Sequence, residues 1–126
     1  MKIKCILFFV FVFSLPTSAA FICNGSLLYT KGISGYITNF NSPESCQQAV
    51  GLSNNGFLCY GKLLYSKGTS GYVVGFRNSE NCQKAVDNAK NGFLCYDALL
   101  YTHYNSGSIT NYRSSKDCLA AIENSH

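Results

Sequence analysis

Six cysteines follow residue 20 in this chain: Cys23, Cys46, Cys59, Cys82, Cys95 and Cys118. Thiols in such a set either pair as disulfides or hold a metal. The number is even, there is no CxxC pair, and the only imidazoles are His103 and His126. Structural zinc sites favour clustered ligands, so a disulfide framework is the better reading and no metal site is expected.

Catalysis needs a nucleophile with a base, or paired acids and bases in a cleft. His103 occupies the position held by Lys31 and Lys67 in related stretches of the chain, and nothing places a nucleophile or orienting acid beside it. It reads as a solvated turn residue. Glu44 and Glu80 are a possible glycosidase pair, yet both fall at expected helix starts, where carboxylates complement the helix dipole. Lys116 stands at the third such place. No HExxH, GxSxG or phosphate-cradling glycine loop occurs. The expectation is a non-enzymatic protein with no catalytic residues and no cofactor.

Binding chemistry is carried by tyrosine, with nine in a chain that lacks tryptophan. Tyr29, Tyr65 and Tyr101 recur, as do Tyr36 and Tyr72, and these five are the candidate binding residues. Ordinary sheet packing explains many of them, since aromatics favour strands. Others suit a surface for a protein or a glycan. Asn24-Gly25-Ser26 is an N-glycosylation sequon, which makes Asn24 a candidate glycan site.

These residues are positioned by a repeat. Written in rows of 36 from Phe21, the chain aligns without gaps as 21–56, 57–92 and 93–126. Phe21-Ile22-Cys23 falls over Phe57-Leu58-Cys59 and Phe93-Leu94-Cys95. Leu27-Leu28-Tyr29 falls over Leu63-Leu64-Tyr65 and Leu99-Leu100-Tyr101. Within a unit, the LLY and YVVGF runs predict an antiparallel hairpin across a polar, glycine-containing loop. FLCY is a third strand or an extension of the second. Caps at Ser42-Pro43 and Ser114, and an i, i+3, i+4 stripe such as Cys46-Ala49-Val50, predict a closing helix. Asn55-Gly56 and Asn91-Gly92 are expected to end the first two helices. A helix packed on its own hairpin brings the two cysteines of a unit together, predicting Cys23–Cys46, Cys59–Cys82 and Cys95–Cys118; spacing alone does not choose this pairing. The expected fold is α+β: three tandem hairpin-plus-helix repeats sharing one antiparallel sheet, helices on one face, stapled by disulfides. Units this short do not bury a core alone.

Residues 1–20 are read separately. A cationic start at Lys2 and Lys4, the apolar run Ile6 to Phe13, Pro16 and a small-residue stretch to Ala20 form a secretory signal peptide. The apolar run is shorter than the ~20 residues of a membrane-spanning helix. From residue 21 onward, eight Lys and Arg stand against six Asp and Glu, spread without a run. Nucleic acid is therefore a poor partner, because phosphate neutralisation calls for a basic stripe.

The Phe21-Ile22-Cys23 triplet after the cleavage point resembles the [Y/F/W]xC motif of small effector candidates secreted by powdery mildew and rust fungi. Those proteins are of this size and often carry a cysteine near the C-terminus, here Cys118. Some adopt a ribonuclease-like fold without catalytic residues, from which the tandem FxC units depart. The resemblance implies secretion, delivery into or around host cells, and interference with immunity by protein binding. The functional expectation is a secreted interaction protein of the effector type. A multivalent repeat lectin is the first alternative. A degenerate ribonuclease using Glu80, His103 and Arg113 is the second. A membrane-active toxin lacks the amphipathic basic helix it needs.

Overall fold

Strand-forming residues open every unit in two runs of four. In the computed structural model, which describes residues 20–125, they form β1 (Phe21–Asn24) with β2 (Leu27–Thr30), β4 (Phe57–Tyr60) with β5 (Leu63–Ser66), and β7 (Phe93–Tyr96) with β8 (Leu99–Thr102). His126 and all of the expected signal segment except Ala20 lie outside the described residues. Each strand pair is antiparallel across a two-residue turn. The first turn residue takes positive φ, 62° at Gly25, 61° at Gly61 and 53° at Asp97, as the primed turns that match strand twist require. A third strand returns along the second: β3 (Thr38–Asn39), β6 (Tyr72–Gly75) and β9 (Thr110–Asn111). FLCY is thus a strand in its own right.

The helices α1 (Pro43–Gly51), α2 (Ser79–Asp87) and α3 (Ser115–Glu123) close the units. Their caps are side chains that accept from the third residue on: Ser42 from Ser45 N–H, Asn78 from Asn81 N–H and Ser114 from Asp117 N–H. The inward stripe buries Cys46, Cys82 and Cys118 completely. Cys23–Cys46, Cys59–Cys82 and Cys95–Cys118 are bonded, with Cα atoms 6.0 Å apart in the first and 6.1 Å in the others. Each bridge contributes about 3 kcal/mol by restricting the unfolded chain.

Two expectations are corrected. Asn55-Gly56 and Asn91-Gly92 do not end helices; α1 and α2 stop earlier, with Leu52 and Asn88 as C-caps. Both residues of each pair have positive φ (53° and 80°; 54° and 81°). They form tight turns in which Asn54 and Phe57, or Lys90 and Phe93, exchange backbone hydrogen bonds of 2.9 and 3.0 Å. Asn-Gly serves a left-handed helix end and a type I′ turn equally well, and the reversal into the next strand required the turn.

The units also do not share one sheet. Each sheet is separate and three-stranded, ordered β1-β2-β3, β4-β5-β6 and β7-β8-β9. Strand alternation supplies the reason. In the second unit Phe57 and Leu64 point to α2, packing with Cys82 and Val86. Leu58 and Tyr65 point the other way and complete the core of the first unit, beside Phe21, Leu28, Phe40 and Ala49. Leu94 and Tyr101 do the same for the second unit. Both sheet faces are apolar, so both must be covered, and units stack by faces instead of pairing by edges.

No helix among the described residues is long and apolar enough to cross a membrane. The three disulfides fit an extracellular or secreted protein.

Candidate interaction surface

Stacking by faces sets the loops that join the second and third strands side by side along the molecule. The loop of the first unit begins Lys31-Gly32, that of the second Lys67-Gly68, and that of the third His103-Tyr104. Gly32 and Gly68 have φ of 95° and 81°. Tyr104 holds the same left-handed region at 63°, which costs a non-glycine residue about 1–2 kcal/mol. Three contacts hold it there. Its N–H donates to the Lys67 carbonyl at 2.9 Å. Its ring lies on Gly68, where a Cβ would collide with it, and reaches Gly32 of the first unit. Lys67 Nζ sits 5.8 Å from the ring centre. Even so, Tyr104 is 59% exposed.

Beneath it the loops are tied together. Gly68 N–H donates to Thr30 Oγ1 at 3.2 Å, and Thr69 Oγ1 donates to the Ser66 carbonyl at 3.0 Å. His103 is a correction to the reading of a solvated turn residue. Its Nε2 is hydrogen-bonded to the Asn55 carbonyl, and its ring centre lies 5.3 Å from that of Phe57. It plugs the space beside the Asn55-Gly56 turn, where only glycine leaves room for the ring.

The expected tyrosine columns separate. Tyr65 and Tyr101 are buried between units and present no binding surface, which corrects their candidacy; Tyr29, at the same position in the first unit, is half-buried. Burial pushes the Tyr101 phenol above its ordinary value, and neighbouring Tyr96 adds to the effect. Tyr36 and Tyr72 are exposed on the loop row, and Tyr72 stands edge-on to Tyr65 with centroids 6.5 Å apart. Tyr60 and Tyr96 stack on Phe40 and Phe76 of the preceding unit, at 4.1 and 4.4 Å. No tyrosine column is exposed in all three units. Tyr104 is absent from the sequence-derived candidates. Its signal was in the alignment, where a bulky ring replaces the glycine of the other two units.

Asn24 is exposed at the end of β1, and the Ser26 hydroxyl of its sequon donates to Asn39 Oδ1 at 2.7 Å. Among the described residues, no group of three His, Cys, Asp or Glu is placed to hold a metal.

A recess lies on the helix side between the second and third units. It is an open cleft of about 450 Å³ lined by Phe76, Tyr96, Arg77, Lys84, Asp97 and Leu119, among others. At the equivalent place between the first two units, Gln83 Nε2 donates to the Leu52 carbonyl at 2.9 Å. Leu119 replaces Gln83 in the third unit, so that tie has no donor beside the cleft.

No protein-family model matches the chain, and no curated protein or solved structure is significantly similar to it.

Proposed function

We propose that this chain is a secreted, non-enzymatic interaction protein of the effector type, binding a host protein through the loop row that carries Tyr36, Tyr72 and Tyr104. The observation that carries the reading is Tyr104. Two units use glycine at this position, where glycine costs nothing, and the third places an exposed tyrosine there at a cost in backbone energy. Strain retained at an exposed aromatic is the pattern of a binding site, and tyrosine is enriched among residues that dominate protein interfaces. The flanking Lys31 and Lys67 favour a partner with an acidic patch. Glycan attachment at Asn24 belongs to the same reading of a secreted chain.

The test uses Tyr104→Gly, which restores the residue of the other units and relieves the backbone. It is expected to fold at least as stably as the parent. Wild-type and variant proteins are immobilised, and retention is compared for host extracellular and cytosolic proteins and for a panel of polysaccharides. A protein retained by the wild type and lost from the variant supports the reading. Equal retention by both removes the loop row from it.

The cleft favours the lectin as a second reading, because Tyr96 offers a ring beside Arg77, Asp97, Asn81 and Asn88. Such a lectin binds at one site, not three equivalent ones. Polysaccharide retention that survives Tyr104→Gly and falls with Tyr96→Ala selects it.

A further inference from the structure

The interface between successive units is built twice inside the chain, and each end of the stack carries one half of it. The inserting half is one side of the first two strands, represented by Leu58 with Tyr65 and by Leu94 with Tyr101. In the first unit Ile22 and Tyr29 occupy those positions, and no repeat precedes them among the described residues. Ile22 is 62% exposed, whereas Leu58 and Leu94 are fully buried. The receiving half is the side of the preceding core left open by its own helix. No described residue fills it in the third unit: Ile109 is 42% exposed where Ile37 is 9%.

We propose that a second copy of this chain covers these ends, the β1–β2 face of one copy seating on the β8–β9 and α3 side of another. The occupant follows from the internal junctions, since the receiving side of this fold already accepts a β-hairpin of this fold at two places. Ile22 then enters the third core as Leu58 enters the first. Gln47 stands at the position of Gln83, and Asn124 at that of Leu52, so Gln47 donates to the Asn124 carbonyl across the contact. The two faces differ, so the contact is head-to-tail and leaves one free face of each kind. Asn24 replaces Tyr60 and Tyr96, whose rings stack on the preceding unit. Without that ring the contact is weaker than the internal junctions, and association is reversible. Asn24 shares the outer side of β1 with Ile22, so a glycan attached to it stands in the contact.

The experiment is sedimentation velocity over a concentration series. It uses protein secreted from the full chain, with any Asn24 glycan trimmed enzymatically, beside Ile22→Glu and Ile109→Glu. Both sites are exposed in the single copy, and circular dichroism with a non-reduced disulfide map verifies that each variant is folded. The parent is expected to gain mass with concentration, and each variant is expected to associate at least ~10-fold more weakly, because a carboxylate is costly to bury in an apolar contact. Mixing the two variants is expected to restore a dimer that grows no further, since each retains one intact end. A parent that stays monomeric to about millimolar concentration, at which even weak contacts populate, overturns the proposal. So does association that both variants leave intact, or a mixture that fails to recover the dimer.

Discussion

At the junction between the first and second units, Gln83 ties α2 to the end of α1; at the next junction Leu119 stands in its place and a cleft opens. The loop side shows the reverse. The first two loops meet through the Gly68 N–H to Thr30 Oγ1 bond. The second and third are held by Tyr104 N–H on the Lys67 carbonyl and by His103 against Phe57. Under these differences the apolar contact is the same, a leucine and a tyrosine entering the preceding core. The comparison teaches that stacking resides in the shared apolar pair. The polar fringe is free to vary, and that is where the third unit acquired its cleft and its exposed Tyr104.

The strongest test of the shared part is Leu58→Ala beside Leu94→Ala. Each is expected to lose about 2–5 kcal/mol in urea denaturation, by lost burial and a residual cavity. Ile22→Ala, in the same column with no unit before it among the described residues, is expected to stay within about 0.5 kcal/mol at concentrations where the chain is monomeric. Unequal losses at the two junctions would break the equivalence.

The connectors come next. Asn55 Nδ2 donates to the Ala89 carbonyl at 3.1 Å while its Oδ1 accepts from Gly92. Asn91 Nδ2 donates to the Ile122 and Ser125 carbonyls at 3.0 and 2.6 Å. Each connector therefore caps the end of the following helix. Asn55→Ala should cost about 1–3 kcal/mol through lost hydrogen bonds and a left-handed backbone that suits Ala poorly. Asn55→Gly, which tolerates that backbone, isolates the hydrogen-bond share. If the two variants melt alike, the turn conformation contributes little.

A smaller gain is expected from Leu119→Gln, which supplies the missing donor for the Asn88 carbonyl. A stabilisation of about 0.5–1.5 kcal/mol, the net worth of one hydrogen bond, should appear as a raised melting temperature. No gain would mean that the cleft has a cause other than the lost tie.

The smallest effect concerns alkali. The unfolded Tyr101 phenol ionises near pH ~10, and the folded one at higher pH. Above pH ~10 the unfolded chain therefore holds fewer protons than the folded one. The stability this residue contributes is complete below that pH and is lost as pH rises through the folded value. Tyr101→Phe should flatten this part of the stability profile, measured by denaturation from pH 8 to 11, provided the phenyl ring keeps the packing. An unchanged slope would assign the alkaline loss to other groups.

Much of the fold was legible because it is local. The strand pairs are four residues long with adjacent turns, each helix carries its own cap, and both cysteines of a bridge lie in one unit. The candidate site was less so. Tyr29, Tyr65 and Tyr101 look identical in the alignment, yet two lie buried between units and one is half-buried in the first described unit. His103 read as a solvated loop residue because its partners, Asn55 and Phe57, are more than a strand away in sequence.

By itself, the sequence determined the period of 36 residues, the two cysteines of each unit, and the hairpin and helix within it. All of these follow from patterns spanning a few turns or strands of chain. Only the tertiary structure decided that the sheets stack by faces instead of joining by edges. Alternation marks both sides of a strand as apolar without saying what covers either. That choice then decided which tyrosines are core, why Asn-Gly turns the chain instead of capping a helix, and where Tyr104 reaches across its neighbours.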